Sequence, residues 1–327
     1  MTNCGPNSES CCASIEVPGE TYYRTYDGVV NGIGLQLAAD GGPTGEGDPA
    51  TVSGYRLDKY LVTVGRFRQF VNAVLPDGSD GGLGWLPAES SGIHTHLNGG
   101  LGLVNSGPKS AEGGVEYETG WDAVDWNNTT DVDPTDSNLA CESGFDTWTT
   151  SPGTQENLPI NCVNWYEAYA FCIWDGGFLP SEAEWEYVAA GGSQQLEYPW
   201  GSASPGITCP GSGCQYAIYF CNYPNGAFSS SACTGVANIA PVGTATLGAG
   251  YWGQLDMAGE LWEWNLDWYA NYVDPCVDCA YLTQASYQVM RGGDFNDPPS
   301  ILPPPNRYYG TPSTRVRVTG FRCGRSP

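Results

Sequence analysis

The chain has 327 residues, of which 36 are acidic and 12 basic, for a formal charge of −24. A surface that negative repels phosphate backbones and anionic headgroups, which excludes nucleic acid and membrane surfaces as partners and leaves cations such as Ca2+, or plain solvation, to meet the charge. Thirteen cysteines beside two histidines exclude an array of zinc modules, and no apolar run approaches the roughly 20 residues that span a bilayer.

In chain order, residues 1–20 carry Cys4, Cys11 and Cys12 among small polar residues and read as a short stapled lead-in to a single domain over 21–327. Residues 21–62 hold strand-like pieces, notably Tyr55–Val62, broken by the turn-rich stretch Asp40–Pro49. Thr63 then caps a helix over Val64–Leu75, in which Phe67, Phe70, Val71 and Val74 share one stripe. Residues 76–158 predict a long irregular excursion, held by packed aromatics and by Cys141 reaching Cys162. Inside it, Ile93-His94-Thr95-His96-Leu97 sets two histidines on one strand face, which reads as two solvated rings with a metal chelate as the alternative. The run Asn127-Asn-Thr-Thr130 holds two glycosylation sequons.

Two capping boxes follow. Asn164 with Glu167 opens a helix whose buried stripe is Trp165, Ala168, Tyr169 and Cys172, stopped at Gly176-Gly177. Ser181 with Glu184 opens another, with Trp185, Val188 and Ala189 inward and Gly191-Gly192 as its stop. Beyond residue 198 come short strands and loops: Tyr198–Gly201, Ala240–Gly243, Glu260–Tyr269, Val289–Phe295 and Gly320–Cys323. Two helices amid many short strands, with 45 glycines, 24 prolines and 13% aromatics, predict an α+β domain rich in irregular loops around a Trp/Tyr core. The cysteines point to an oxidising compartment, extracellular or periplasmic, with any export signal removed or absent. Cys209/Cys214, Cys221/Cys233 and Cys276/Cys279 pair by proximity as loop staples, and the odd count leaves one thiol over.

Six motifs in order carry a resemblance. They are Asn161-Cys-Val-Asn-Trp-Tyr-Glu-Ala-Tyr-Ala-Phe-Cys172, Leu179-Pro-Ser-Glu-Ala-Glu-Trp-Glu-Tyr187, Tyr198-Pro-Trp-Gly201, Leu255-Asp-Met-Ala-Gly-Glu-Leu-Trp-Glu-Trp264, Arg291-Gly-Gly293 and Gly320-Phe-Arg322. Together they resemble the formylglycine-generating-enzyme (sulfatase-modifying-factor) family. The resemblance implies a C-type-lectin-like fold, disulfide-stapled, with a Cys172–Cys323 bridge. It also implies one Ca2+ held by the side chains of Asp256 and Glu263 and the carbonyls of Gly259 and Leu261, since calcium takes 6–8 oxygens. A second site would fall at Asn222 and Tyr223, near Thr234 and Val236, where the expected carboxylate is missing. The residues themselves equally allow Asp256 and Glu263 to be loop carboxylates or partners of a buried arginine.

The family's oxidases hold copper(I) on two thiolates between the last two motifs, because a soft ion prefers sulfur. Here the interval Asp294–Thr319 has no cysteine, and the thiolate positions fall on Pro299 and near Asp297. No copper is expected, and cysteine oxidation by that route is not. The sulfur–carbon-bond branch needs several histidines for iron, where this chain has His94 and His96 alone. Trp165, Trp185, Trp200, Trp262 and Trp264 read as core rather than ligand platforms. Arg291 and Arg322 must be paired if buried.

The role this implies is recognition of an extracellular glycan, peptide or protein. The expected contacts are Asp294, Phe295, Asn296, Asp297, Asn306, Tyr308 and Tyr309 on a surface loop stiffened by prolines. Two alternatives stand beside it. One is an enzyme of altered chemistry, using Asp294 and Asp297 or a metal at His94/His96. The other is a self-assembling component of a surface layer or filament.

Overall fold

Both capping boxes close. Asn164 accepts from the Glu167 N–H while Glu167 accepts from that of Asn164, and Ser181 and Glu184 do the same, starting the helices Trp165–Trp174 and Glu182–Ala189. Thr63 accepts from the Arg66 N–H and starts a third, Val64–Val74. Gly176 (φ 78°) and Gly191 (φ 67°) turn the chain out of the second and third helix positions as left-handed stops. These elements belong to a computed structural model that describes residues 2–26, 46–76, 84–108, 113–203, 205, 216–226 and 229–327.

Hydrogen-bonded backbone is sparse, and among the described residues three sheets of three or four strands carry most of it, beside two two-stranded pairs. The largest has the order Arg307–Gly310, Gln288–Arg291, Trp262–Trp268, Thr319–Gly320, antiparallel except for the last pair. A second joins Gly324–Arg325, Tyr55–Asp58 and Ser14–Val17. The third joins Glu20–Thr25, Gly47–Val52 and Cys276–Val277. Ser14–Val17 thus places part of the stretch read as a lead-in inside a sheet, and the Cys4–Cys11 bridge, a pairing the sequence did not suggest, is buried against Tyr60 and Leu61. The strand Tyr55–Asp58 ends short of the expected Val62, and no strand forms at Ala240–Gly243.

Packing supplies what pairing does not. Phe67, Phe171 and Phe321 meet at centroid distances of 5.3–6.2 Å and join two helices to the last motif. Beside them the Cys172–Cys323 disulfide closes a separation of 151 residues. Cys141–Cys162, Cys221–Cys233 and Cys276–Cys279 also form, and Cys12 is an exposed free thiol. The proposed Cys209–Cys214 staple and residues 40–45 of the turn-rich stretch lie outside the described residues. Among those described, no helix is long and apolar enough to cross a membrane.

The excursion is pinned by charge. His94 is buried between two buried carboxylates, with Nδ1 2.9 Å from Glu118 and Nε2 3.1 Å from Glu184. Glu184 is also the carboxylate of the second capping box, so the excursion is tied to a helix start. The expectation of a shared chelating face at His94 and His96 is corrected here. Both His94 nitrogens are engaged, and the two rings lie 6.2 Å apart with both against Phe178. Burial alone would lower the His94 pKa, but Glu118 and Glu184 outweigh it and hold it at about 10.

Two outcomes follow for His94. With the folded pKa above the unfolded value of 6.5, the pairing stabilises fully below pH 6.5 and its contribution is lost as pH rises through about 10. Urea midpoints measured from pH 6 to 10 should fall. His94→Gln should lose roughly 3–5 kcal/mol near pH 6 by stranding two carboxylates, and should flatten that slope.

Candidate functional site

Arg291 and Arg307 sit directly opposite one another on antiparallel strands, an arrangement that two like charges resist. Two carboxylates one helical turn apart resolve it. Glu182 accepts from Arg307 through both oxygens (2.6 and 2.8 Å) and from Arg291 at 2.9 Å, and Glu186 accepts from Arg291 at 2.8 Å. All four groups are buried. Burial pushes Glu186 up to about 7, whereas at Glu182 the nearby Arg307 and Arg291 overcome burial and hold the pKa down. The helix Glu182–Ala189 therefore clamps both ends of the chain that runs from Gly292 to Asn306.

Between those ends the loop folds inward. Gly292 (φ 102°) and Gly293 (φ 79°) turn it off the strand, and a knot at Asp294–Asp297 follows. Asn296 N–H donates to Asp294 (2.6 Å), and Asp294 N–H donates to Asp297 (3.1 Å). Phe295 is fully buried and stacks on Phe145 at 6.1 Å, and Asn306 donates to the carbonyls of Ser300 and Ile301. The expectation that Phe295 and Asn306 meet solvent is corrected. The prolines draw the loop over the core instead of holding it away. Only Tyr308 (38%) and Tyr309 (41%) are exposed among the aromatic candidates.

Those two tyrosines edge a cavity of about 520 Å3. Trp262 stacks on Tyr308 at 5.2 Å, and Tyr287 and Tyr269 meet Tyr309 at 4.8 and 4.7 Å. Asp294 and Asn296 line one wall, Met290 the floor strand, and Glu142 paired with Arg317 the opposite rim. Burial and the adjacent Asp297 carboxyl push Asp294 well above the usual carboxylate range, and burial raises Asp297 too. The sequence reading missed Glu142, Met290 and Arg317. It took Trp262 as core, which its burial supports, but one face also lines the cavity. Trp165, Trp185 and Trp264 are buried, whereas Trp200 is half-buried against Tyr198. Cys233 Sγ comes 3.0 Å from Asn296, closed in its disulfide with Cys221. Met290 brings a single thioether to the cavity, a soft group that inspection of residues 294–319 alone overlooks.

The two oxygen-rich candidate sets are largely occupied by the protein itself. Glu263 accepts from Arg322 through both oxygens (2.7 Å each) and from the Trp185 indole (2.9 Å). Arg322 also donates to the carbonyls of Leu255 and Asp256. Asp256 is buried with one oxygen on the Gly243 N–H (2.6 Å), and Gly259 N–H bonds Gly292. Leu261 is buried beneath the strand start. At the other set, the Asn222 amide bridges Tyr219 and Ala217, and the Asn238 amide links the Tyr223 carbonyl to the Thr234 N–H. At that second set two neutral side-chain amides join the loop segments. Among the described residues no group of three or more His, Cys, Asp or Glu converges as a metal cluster.

Comparison with known proteins adds three findings. Residues 9–327 match the profile of the sulfatase-modifying factor enzyme 1-like domain. The chain is 29% identical over 307 residues to the formylglycine-generating enzyme of Thermomonospora curvata, covering 86% of each, and 31% identical over 170 residues to the inactive C-alpha-formylglycine-generating enzyme 2 of Mus musculus, covering 52% of this chain and 49% of that one. Among solved structures, PvdO from Pseudomonas aeruginosa superposes with a TM-score of 0.56 at 19% identity over 96% of this chain and 94% of its own, a likeness of fold.

Alanine substitutions should separate the inward and outward parts of the loop. Phe295→Ala should cost about 3–5 kcal/mol in chemical denaturation, and Tyr308→Ala or Tyr309→Ala about 1 kcal/mol or less. Equal losses at all three would contradict this placement.

Proposed function

Because the chain belongs to the family of sulfatase-modifying factor enzyme 1-like domains, which spans formylglycine-generating enzymes and a relative named inactive, we propose that it is a secreted recognition domain, silent for oxidation of cysteine to formylglycine. One observation carries the reading. The stretch between Gly293 and Gly320 offers aromatic, amide and carboxyl groups to the cavity and no thiolate, while copper(I) in the family mechanism needs two. Met290 supplies one thioether, short of that pair.

The ligand meets the shelf of Trp262, Tyr308 and Tyr309, flat apolar faces with hydroxyl edges, of the kind enriched at recognition surfaces. A glycan, a peptide or an extracellular protein all suit it. Secretion is supported by five disulfides among the described residues, which persist in oxidising compartments. A second reading rests on Asp294 and Asp297. Two neighbouring carboxyls, both pushed upward by burial and with Asp294 lining the cavity, are suited to donate and accept protons in an acid–base reaction.

Calcium is a narrower proposal, placed at the Asp256 end of its loop. Asp256, Glu260 and Glu263 are all buried, and the Arg322 guanidinium pairs with Glu263 alone among them. A hard cation on Asp256, with loop carbonyls such as those of Gly259 and Leu261, relieves the remaining charge. Glu263 is no clean probe of such an ion, because its loss breaks the Arg322 pair whatever the metal does.

Three measurements check these readings. The purified protein should leave a Cys-x-Pro-x-Arg peptide unconverted with or without copper(I), and a formylglycine product in mass spectrometry would overturn the silent assignment. On a glycan and peptide array, Tyr308→Ala/Tyr309→Ala should lose the ligands that the wild type captures; Asp294→Asn losing turnover instead of binding would favour the acid–base reading. Chelation with EGTA should lower Tm, by a loss of about 2.7 kcal/mol if calcium stood a hundredfold above Kd, and Asp256→Ala, which removes the side-chain oxygen, should abolish that shift. An unchanged Tm after stripping calcium-loaded protein rejects the ion.

A further inference from the structure

A second cavity, of about 380 Å3, lies where the helix Trp165–Trp174 meets the Trp268 end of the strand Trp262–Trp268 and the excursion around Glu116–Gly120. Five aromatic residues line it, the half-buried Tyr117 and the group Trp126, Trp165, Tyr169 and Trp268. Trp126 and Trp165 stand at 86° with centroids 5.5 Å apart, a corner, and Tyr169 closes on Trp165 at 5.4 Å and 54°. Trp268 extends the wall at 6.4 Å and 36° from Trp165. Trp126 and Trp268 are only half-buried, so the cage opens to solvent.

Two features say what this cage takes. Two of its polar side chains, Glu118 and Asn105, are already committed. Glu118 is held by the His94 ring and by the N–H groups of His94 and Leu103, and the Asn105 side chain by Glu116, Thr283, Gly107 and Leu282. A sugar would need those edges free. Tyr169 also lines the cavity, and its buried hydroxyl has no hydrogen-bond partner among the described residues. Aromatic faces, one unclaimed acceptor oxygen and a carboxylate-rich wall suit a cation without strong N–H donors. The negative potential of aromatic faces attracts such a cation, and its polarised methyl groups can meet the tyrosine oxygen. The overall charge of −24 favours its approach.

We propose that this aromatic cage binds a quaternary or fully methylated ammonium group. It is independent of the cavity at Tyr308 and of whatever that site recognises.

Choline and its uncharged isostere 3,3-dimethylbutan-1-ol are the probes, read by calorimetry and by tryptophan fluorescence on the intact chain. Choline should bind at least about tenfold more tightly than the alcohol, and Trp126→Ala should weaken it by about tenfold or more while Tm and circular dichroism show a folded protein. Glu116→Gln, at a half-buried position, is the second variant and should weaken choline while leaving the alcohol unchanged. Equal binding of the two probes, or choline binding untouched by both substitutions, overturns the assignment. So does silence up to roughly 10 mM choline, where even a pocket with Kd near 1 mM would be saturated. Capture of N-acetylglucosamine oligomers in place of choline would make the cage a sugar site and refute the cation.

Discussion

The clamp of Arg291 and Arg307 on Glu182 and Glu186 is the interaction on which the cavity depends. Two guanidiniums face each other across adjacent strands, and without the carboxylates of one helix that register would be electrostatically unfavourable. Buried charges are costly unless fully paired, and once paired they tolerate little displacement. The loop that carries Asp294, Asn296 and the strand of Tyr308 and Tyr309 starts after one arginine and ends at the other, so its two ends cannot drift apart.

The same device recurs wherever backbone pairing is thin. Glu263 with Arg322 ties the Trp262 strand to the last motif, Asp58 with Arg66 ties the second sheet to the first helix, and His94 ties the excursion to a helix start. This use also bears on the charge balance. Arg24, Arg66, Arg68, Arg291, Arg307 and Arg322 are all buried, half of the 12 basic residues. Half of the scarce positive charge is thus spent inside against eleven buried carboxylates, and the exterior keeps most of the net negative charge. Such an exterior concentrates cations, and both cation sites proposed above, at the Asp256 loop and the Trp126 cage, would draw on it.

The loop after Arg291 shows how a recognition surface can be misjudged from composition. Prolines and aromatics in a long connection suggested an outward display. In the fold, Phe295 fills the space against Phe145 and Asn306 closes the loop's own carbonyls, while the exposed face passes to Tyr308 and Tyr309 on the strand beyond. The opposite wall comes from Glu142 and Arg317, residues with no motif and no spacing to mark them. Trp262 illustrates the third case, a residue both buried and lining the cavity, because it stands at the first position of its strand.

What the sequence determined by itself was local. Helix starts at Thr63, Asn164 and Ser181 were legible because a cap acts on the N–H groups two or three residues away, and the glycine stops because a left-handed turn is open to few other residues. Six ordered motifs carried the family and with it the Cys172–Cys323 bridge, and the missing thiolates were visible by inspection. Tertiary structure decided the rest: that His94 is an enclosed ion-pair partner instead of a chelator, that Glu263 belongs to Arg322, and which side chains face either cavity. Those outcomes turn on residues 24 to 175 positions apart, as in Glu118 with His94 or Glu142 with Arg317. No periodicity encodes such a contact; burial and charge pairing select it once the chain is folded.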